Sequence, residues 1–367
     1  MVQISTNLAI VIPTEVEGSL STSIGMYEIP RLTSFARNDR RCEIRDKLMK
    51  LSIIILSYNT KDLTVKCIGS LIGQYKKELE NGEFEIIVVD NGSKDGTIEI
   101  LKQVQNDKRD FGQARLAGAL ASRRSSGSAK RARMTRKITF IQNKVNVGFA
   151  KGCNIGARES KGKYILFLNS DTETLDRGFL KMTEFLNANS TIGILGGKLL
   201  NPDSSPQPSA GKFYTLFNLF FVLVGIEVFL GIRKSPKTIS KVDWVSGGCM
   251  MIRKSLFEKL SGFDENFFMY IEDMEMCFRA DRLGSATYFY PDVKVVHKTL
   301  GSSSRDFAII NIYKGILYFY SKHKSHIEYI MAKVLLVAKA SFLIFLSFIA
   351  RSRGLKDRYE KALKVLV

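Results

Sequence analysis

Paired cysteines, histidines and acidic residues are all scarce in this 367-residue chain. Its five cysteines, Cys42, Cys67, Cys153, Cys249 and Cys277, are scattered with no C-x-x-C pair. That spacing argues against a zinc site and against a disulfide framework, so a reducing cytosol is the expected setting. The N-terminus has no basic segment followed by a sustained apolar run, and no secretory signal is expected. The G-x-G-x-x-G spacing is also missing, which leaves a dinucleotide site unsupported.

Asp and Glu number 36 against 55 Lys and Arg, a formal net charge of +19. Such an excess suits nucleic acid, anionic lipid or phosphorylated substrates equally well, so its position decides. Between Lys108 and Lys137 ten basic residues face Asp110 alone, and this stretch supplies nine of the nineteen charges. It contains Ser125, Ser126, Gly127 and Ser128 and has no apolar periodicity, the composition of a flexible, solvated insert rather than a nucleic-acid arm. No nucleic-acid partner is expected.

What is present is a 45% hydrophobic chain, enough for a sizeable core in one large α/β domain with appendages or in two ordinary domains. Residues 1–48 show no sustained period and read as a poorly ordered N-terminal extension, with Met49 as a candidate natural start. From Leu51 onward short apolar β-rich runs alternate with helical stretches. Strands are expected at 51–56, 84–89, 137–142, 164–168, 192–199 and 242–252, the last interrupted by Gly247-Gly248. Helices are expected at 63–75, 97–105, 154–159, 179–187 and 274–283. This alternation predicts a mixed, mostly parallel sheet flanked by helices, interrupted by the basic insert at about 107–137.

Two stretches approach the roughly 20 apolar residues that cross a bilayer. Residues 213–232 contain Asn218 and Glu227 and read as an interfacial helix or a buried helix on the acceptor side. Residues 334–350 contain Lys339 and are followed by Arg351, Arg353, Lys356 and Arg358, as contacts with anionic lipid require. The segment 305–367 is therefore expected to be helical and membrane-associated, by surface contact or partial insertion rather than plain packing.

In open α/β sheets ligands sit beyond the carboxyl ends of the strands. Four such ends are polar here: Ser57-Tyr58-Asn59-Thr60, Asp90-Asn91-Gly92-Ser93, residues 143–148, and Asn169-Ser170-Asp171. At Asp90 a carboxylate can accept from a base or ribose hydroxyl, although Asp-Asn-Gly by itself is equally a turn. Asn169 and Asp171 supply oxygens at a strand end, which suits Mg²⁺ or Mn²⁺ bound partly through substrate phosphates; helix capping by Asp171 or Thr172 is the rival reading. Glu272 and Asp273 follow a strongly apolar run. Acids there are often only helix-dipole partners, yet an apolar wall raises a carboxylate's pKa, as a general base for a hydroxyl requires. His297 ends the run 293–296 and offers a nitrogen ligand or a structural role.

Taken together these residues, in this order, resemble the family 2 glycosyltransferases of the GT-A fold, from about Met49 to about Ser304. The resemblance is carried by Ser52-Ile-Ile-Ile-Leu-Ser-Tyr-Asn59, Val88-Val-Asp-Asn-Gly-Ser93, Asn146-Val-Gly-Phe-Ala-Lys-Gly-Cys-Asn154, Phe167-Leu-Asn-Ser-Asp171, Trp244-Val-Ser-Gly-Gly-Cys-Met-Met-Ile-Arg253, and Gly262-Phe-Asp-Glu265 leading to Glu272-Asp273. The subgroup it looks most like makes bacterial surface polysaccharides and includes rhamnosyltransferase-like enzymes.

The resemblance implies a GT-A, Rossmann-like catalytic domain over 49–304 that moves one sugar, with inversion, from a nucleotide-diphosphate sugar to a saccharide or lipid-linked saccharide acceptor. Ser57, Asn59, Asp90, Asn146, Gly148 and Asn169 would hold the nucleotide sugar. Asp171 and His297 would hold a divalent metal, Mg²⁺ or Mn²⁺, with Asn169 in the first position of the family's D-x-D motif. Asp273 would be the general base, with Trp244, Gly247, Gly248 and Glu272 on the acceptor side. The Q-x-x-R-W motif of processive synthases is absent. The implied setting is the cytoplasmic face of the plasma membrane. Two other classes stay open: a nucleotidyltransferase, which would normally carry a Gly-rich basic loop where Ser57-Tyr58-Asn59-Thr60 stands, and a non-catalytic scaffold derived from a transferase.

Overall fold

The computed structural model describes residues 49–106, 138–298 and 304–366; the expectations for residues 1–48, Cys42 and the basic insert at 107–137 lie outside them. The β-rich run at the start of the described chain forms β1 (Leu51–Ser57), and β2 (Phe84–Asp90), β3 (Ile138–Gln142) and β4 (Tyr164–Asn169) join it in parallel, in the order β3-β2-β1-β4. Between them run α1 (Lys61–Asn81), α2 (Thr97–Asn106) and α3 (Phe149–Arg158).

Beyond β4 the chain adds β5 (Thr172–Thr174), α4 (Gly178–Ala188), β6 (Ile192–Leu200), β7 (Ala210–Gly211), α5 (Leu216–Val224), β8 (Arg233–Lys234), β9 (Ser240–Val242), β10 (Trp244–Val245) and β11 (Cys249–Arg253). Then come α6 (Lys254–Lys259), α7 (Glu272–Arg282), β12 (Ala286–His297), α8 (Arg305–His323), α9 (His326–Ile349) and α10 (Arg353–Leu363). The main sheet continues from β4 through β11, β6 and β12 to β5, with β9 also on β12; β10-β7-β8 make a small second sheet. β11 is antiparallel to both β4 and β6, and β12 is parallel to β6. The sheet is thus parallel in its first half and mixed in its second.

Continuous apolar strands are the mark of a sheet buried on both faces. Ile53, Ile55, Ile86 and Val88 point into one apolar layer with Leu71 and Tyr75 of α1 and Phe179 of α4. Ile54, Ile87, Val89 and Phe167 point into the other, which also holds Cys153 of α3, Ile316 of α8 and Leu336 of α9. The C-terminal helices therefore close the same core that supports the sheet. Helix α3 lies close on β1 because Gly156 leaves room: a Cβ there would come 2.7 Å from Ile54 Cγ2.

The expected helix at 154–159 begins five residues earlier, at Phe149, where Gly148 starts it with a φ of +87°. The expected strand at 242–252 is three short strands in two sheets, because a turn at 246–249 reverses the chain between β10 and β11. Of residues 213–232 only Leu216–Val224 is helical, and Gly225 closes that helix with a left-handed cap. Residues 334–350 fall largely in α9, 24 residues with a mean hydropathy of 2.1 in its most apolar window, long and apolar enough to cross a membrane by length and composition.

Candidate active site

The parallel register brings the polar strand ends together. Ser57 lies opposite Asp90, Leu56 opposite Asn169, and Asp90 opposite Gln142, so the loops after β1, β2, β3 and β4 meet at one edge. Asn91 knots them. Its amide nitrogen donates to Asn146 Oδ1 at 2.8 Å and Gly148 O at 3.2 Å, while its amide oxygen accepts from Asn143 Nδ2 at 3.0 Å and Val147 N at 3.1 Å. Gly92, at a φ of +78°, lies so close that a Cβ would stand 2.8 Å from the carbonyl carbon of Val145. Gly148 admits no Cβ either, since one would collide with Phe268 O, the acceptor for Phe149 N–H.

Two cavities adjoin this edge. The first, about 520 Å³, is lined among others by Tyr58, Asn146, Gly148 and Asp171. The second, about 410 Å³, is lined among others by Trp244, Gly247, Gly248, Glu272 and Asp273. Phe149, Asn169, Met269, Tyr270 and His297 border both. Asp171 and Asp273 thus stand in adjacent chambers that share a wall.

At that wall Asp171 Oδ1 is 3.3 Å from His297 Nε2, and Asn169 Nδ2 lies 3.1 Å from the same nitrogen. The ring is oriented from behind by Gln207. The Gln207 amide nitrogen donates to Asn201 Oδ1 at 2.7 Å and to His297 O at 2.8 Å, which leaves Oε1 to accept from His297 Nδ1–H at 2.8 Å. With Nδ1 engaged by Gln207, the ring presents Nε2 to the Asp171 carboxylate and the Asn169 amide.

Two acceptors 3.3 Å apart are suited to adjacent positions on one cation at bond lengths of about 2.1 Å. Among the described residues there is no cluster of three or more His, Cys, Asp and Glu side chains that could cage a metal. A carboxylate completed by substrate phosphates is what Mg²⁺ or Mn²⁺ ordinarily accepts; the imidazole adds a nitrogen donor that suits Mn²⁺ better than the harder Mg²⁺, and Gln207 on its far side is the usual kind of support for such a ligand. The pair fits a divalent ion.

Asp273 opens α7. Its Oδ2 accepts from Gly247 N–H at 3.0 Å and its Oδ1 from Met274 N–H at 2.8 Å. Burial pushes its pKa above the usual carboxylate value despite those two bonds and the charge of Arg233. Glu272 beside it is buried, keeps Oε2 without a hydrogen-bond partner, and is pushed well up by burial and by the Asp273 charge. Tyr270 and Ile271 precede them at φ of +71° and +72°, a left-handed pair costly for non-glycine residues. This turn aims the first turn of α7 at the second cavity.

Ser57, Asn59 and Asp90 line neither cavity. Ser57 Oγ bonds Thr60 and Thr64 hydroxyls at 3.1 and 2.8 Å, and Asn59 braces two loops by accepting from Lys94 N–H at 2.8 Å. Asp90 is buried, accepts weakly from Ser93 N–H at 3.4 Å, and leaves Oδ1 unpartnered. Burial raises its pKa despite the Ser93 bonds. Gln207 and Arg233 lie in no motif, and Asn91, inside the Asp90-Asn91-Gly92-Ser93 stretch, carried no role of its own there; each acts across long sequence separations, which local pattern does not record.

The sheet order, the polar edge and the paired chambers define a GT-A type α/β fold. The model of glycosyl transferase family 2 matches residues 52–261, more than half of the chain, and the chain belongs to that family. It is 26% identical over 254 residues to the low-salt glycan biosynthesis hexosyltransferase Agl10 of Haloferax volcanii, covering 66% of each chain. It is 32% identical over 127 residues to the N-acetylglucosaminyl-diphospho-decaprenol L-rhamnosyltransferase of Mycobacterium tuberculosis, covering 31% of this chain and 40% of that protein. The subgroup resemblance thus extends to rhamnosyltransferases, although the chain spans only about two-fifths to two-thirds of the length of these curated relatives. Among solved structures, GalNAc-T7 with UDP, GalNAc and Mn²⁺ superposes with a TM-score of 0.51 at 18% identity, covering 74% of this chain and 50% of that one, a likeness of fold. The nucleotidyltransferase alternative finds no support.

Proposed function

We propose that this chain transfers one sugar, with inversion, from a nucleotide-diphosphate sugar in the 520 Å³ cavity to an acceptor hydroxyl in the 410 Å³ cavity. The observation that carries the reading is the shared wall at Asn169 and His297, with Asp171 on the first side and Asp273 on the second.

Asp171 and His297 would hold the divalent ion. Bound there, it supplies positive charge to the diphosphate as that group leaves. Asn146 and the Gly148 backbone shape the donor pocket, and the buried Asp90 stands behind it, next to Asn91, which lines the cavity. Asp273 takes the proton of the attacking hydroxyl: two backbone N–H groups hold its carboxylate in place, and its raised pKa brings it toward the range where a base works well near neutrality. Trp244, Gly247 and Gly248 form the acceptor wall.

The acceptor is proposed to be a lipid-linked saccharide met at the cytoplasmic face of the plasma membrane. In support, the mycobacterial relative is named for a decaprenol-linked acceptor, Val222 and Leu223 of α5 line the second cavity, and Phe342, Phe345 and Phe348 of α9 are exposed.

The test is a screen of nucleotide sugars for release of nucleoside diphosphate with Mn²⁺ and with EDTA. Release from one donor that requires the metal is expected; no release from any donor would favour the scaffold alternative.

A further inference from the structure

The 410 Å³ cavity holds more polar equipment than proton transfer uses. Buried polar atoms without hydrogen-bond partners on its lining residues include Ser209 Oγ, Tyr313 OH and Arg233 Nε, besides Glu272 Oε2. Leaving such atoms unpaired is costly unless a ligand supplies their partners. Two cations, Arg233 and Lys339, also line this cavity. Arg233 sits 6.0 Å over the Trp244 ring and reaches only Pro208 O, at 3.4 Å. Lys339 projects from α9, half-buried and held below the ordinary lysine value by burial. Among the described residues neither makes an ion pair; Glu227 acts on Lys339, and Asp273 feels Arg233, from beyond 4 Å. The rest of the wall is markedly apolar, with Val222 and Leu223 from α5 and Ile309, Ile312 and Ile316 from α8.

Two unpaired cations beside an apolar wall are complementary to an anionic head joined to a hydrocarbon chain. We propose that Arg233 and Lys339 bind the diphosphate of an isoprenoid-diphosphate acceptor, with its first isoprene units lying over the α5 and α8 side chains. This rests on the glycosyl-transfer reading and adds to it the acceptor group that the protein grips. A cation placed on an apolar helix, costly if that helix served only to pack, then has a task.

The test needs neither donor nor turnover. Trp244 is the only tryptophan in the chain, so its fluorescence reports the cavity. Farnesyl diphosphate and farnesol are titrated in EDTA, which prevents metal-bridged binding of diphosphate at Asp171. Wild type is expected to bind farnesyl diphosphate at least tenfold more tightly than farnesol, about the effect of one charge-assisted hydrogen bond. Arg233→Gln and Lys339→Gln each lose that preference while farnesol binding stays constant; Arg233→Lys and Lys339→Arg keep most of it; Asp171→Asn binds like wild type. Equal affinity of wild type for the two ligands, wild-type affinity in either Gln variant, or loss of binding in Asp171→Asn would overturn the assignment. Failure of glycosyl transfer itself would appear separately, as no nucleoside diphosphate released from any donor.

Discussion

Asp171 Oδ1 and His297 Nε2 face each other at 3.3 Å although they stand 126 positions apart, because β12 returns beside β5 and sets His297 opposite Thr172. Behind them Gln207 holds the ring by its Nδ1 proton. Asp171→Asn and His297→Ala are expected to abolish tight Mn²⁺ binding. Gln207→Ala, which touches only the support of the proposed ligand His297, is expected to weaken it about 10- to 100-fold. Calorimetric Mn²⁺ titration checks this, and unchanged affinity in Gln207→Ala would remove the orienting role.

The pH dependence of turnover should carry the signature of Asp273. Its folded pKa is raised, so the ionised base is present above that value and is lost as pH falls through it. The rate at subsaturating acceptor should drop on the acid side of a pKa above the usual carboxylate range. An acid limb at the ordinary carboxylate value would contradict the burial argument.

Glu272 makes the opposite demand on stability. Its folded pKa is raised by burial and by the Asp273 charge, so its stabilising contribution is present in acid and is lost as pH rises through that pKa. Glu272→Gln removes this dependence. Its Tm relative to wild type should therefore improve as pH goes from about 4 to about 8, and a constant difference across that range would contradict it.

Glu275, one turn further along α7, is fully buried between Arg279 at 2.8 Å, Lys322 at 2.8 Å and His323 at 2.9 Å, which fastens the helix bearing Asp273 to α8. Burial alone would raise its pKa, but the His323 bond, the Arg279 charge and the Lys322 bond overcome it and the net shift is downward. Its contribution is present above the unfolded carboxylate value and is lost as pH falls. Glu275→Gln leaves buried cations short of a partner and should cost roughly 3–5 kcal/mol in denaturant unfolding at neutral pH.

Glycines separate into two kinds. Gly156→Ala would press on Ile54 and Val89 across the α3–β1 contact and should cost about 1–3 kcal/mol. Gly73→Ala, on the exposed side of α1 with nothing within 4 Å of the new Cβ, should be neutral or stabilising by up to about 1 kcal/mol. Equal effects in thermal melts would contradict the packing account.

Much of the sheet was legible because buried parallel strands are short apolar runs: the expectations at 51–56, 84–89 and 164–168 each fall within one residue of β1, β2 and β4. The end-of-strand rule also pointed to Asn169 and Asp171. The split of 242–252 was hidden, since a Gly-Gly pair inside an apolar run does not reveal that the chain changes sheets. Gln207 sits in a Ser-Pro-Gln-Pro loop and meets His297 only through the fold. The left-handed pair Tyr270-Ile271 has no local signal, because neither residue favours that conformation.

The division of labour between Asp171 with His297 and Asp273 is tested most directly by the anomeric configuration of the product, followed by NMR with the donor found in the screen. Wild type with Mn²⁺ is expected to give the anomer opposite to the donor's, and Asp273→Asn, still folded and still binding Mn²⁺, is expected to form no product. Retention of configuration, or wild-type turnover by Asp273→Asn, would contradict it.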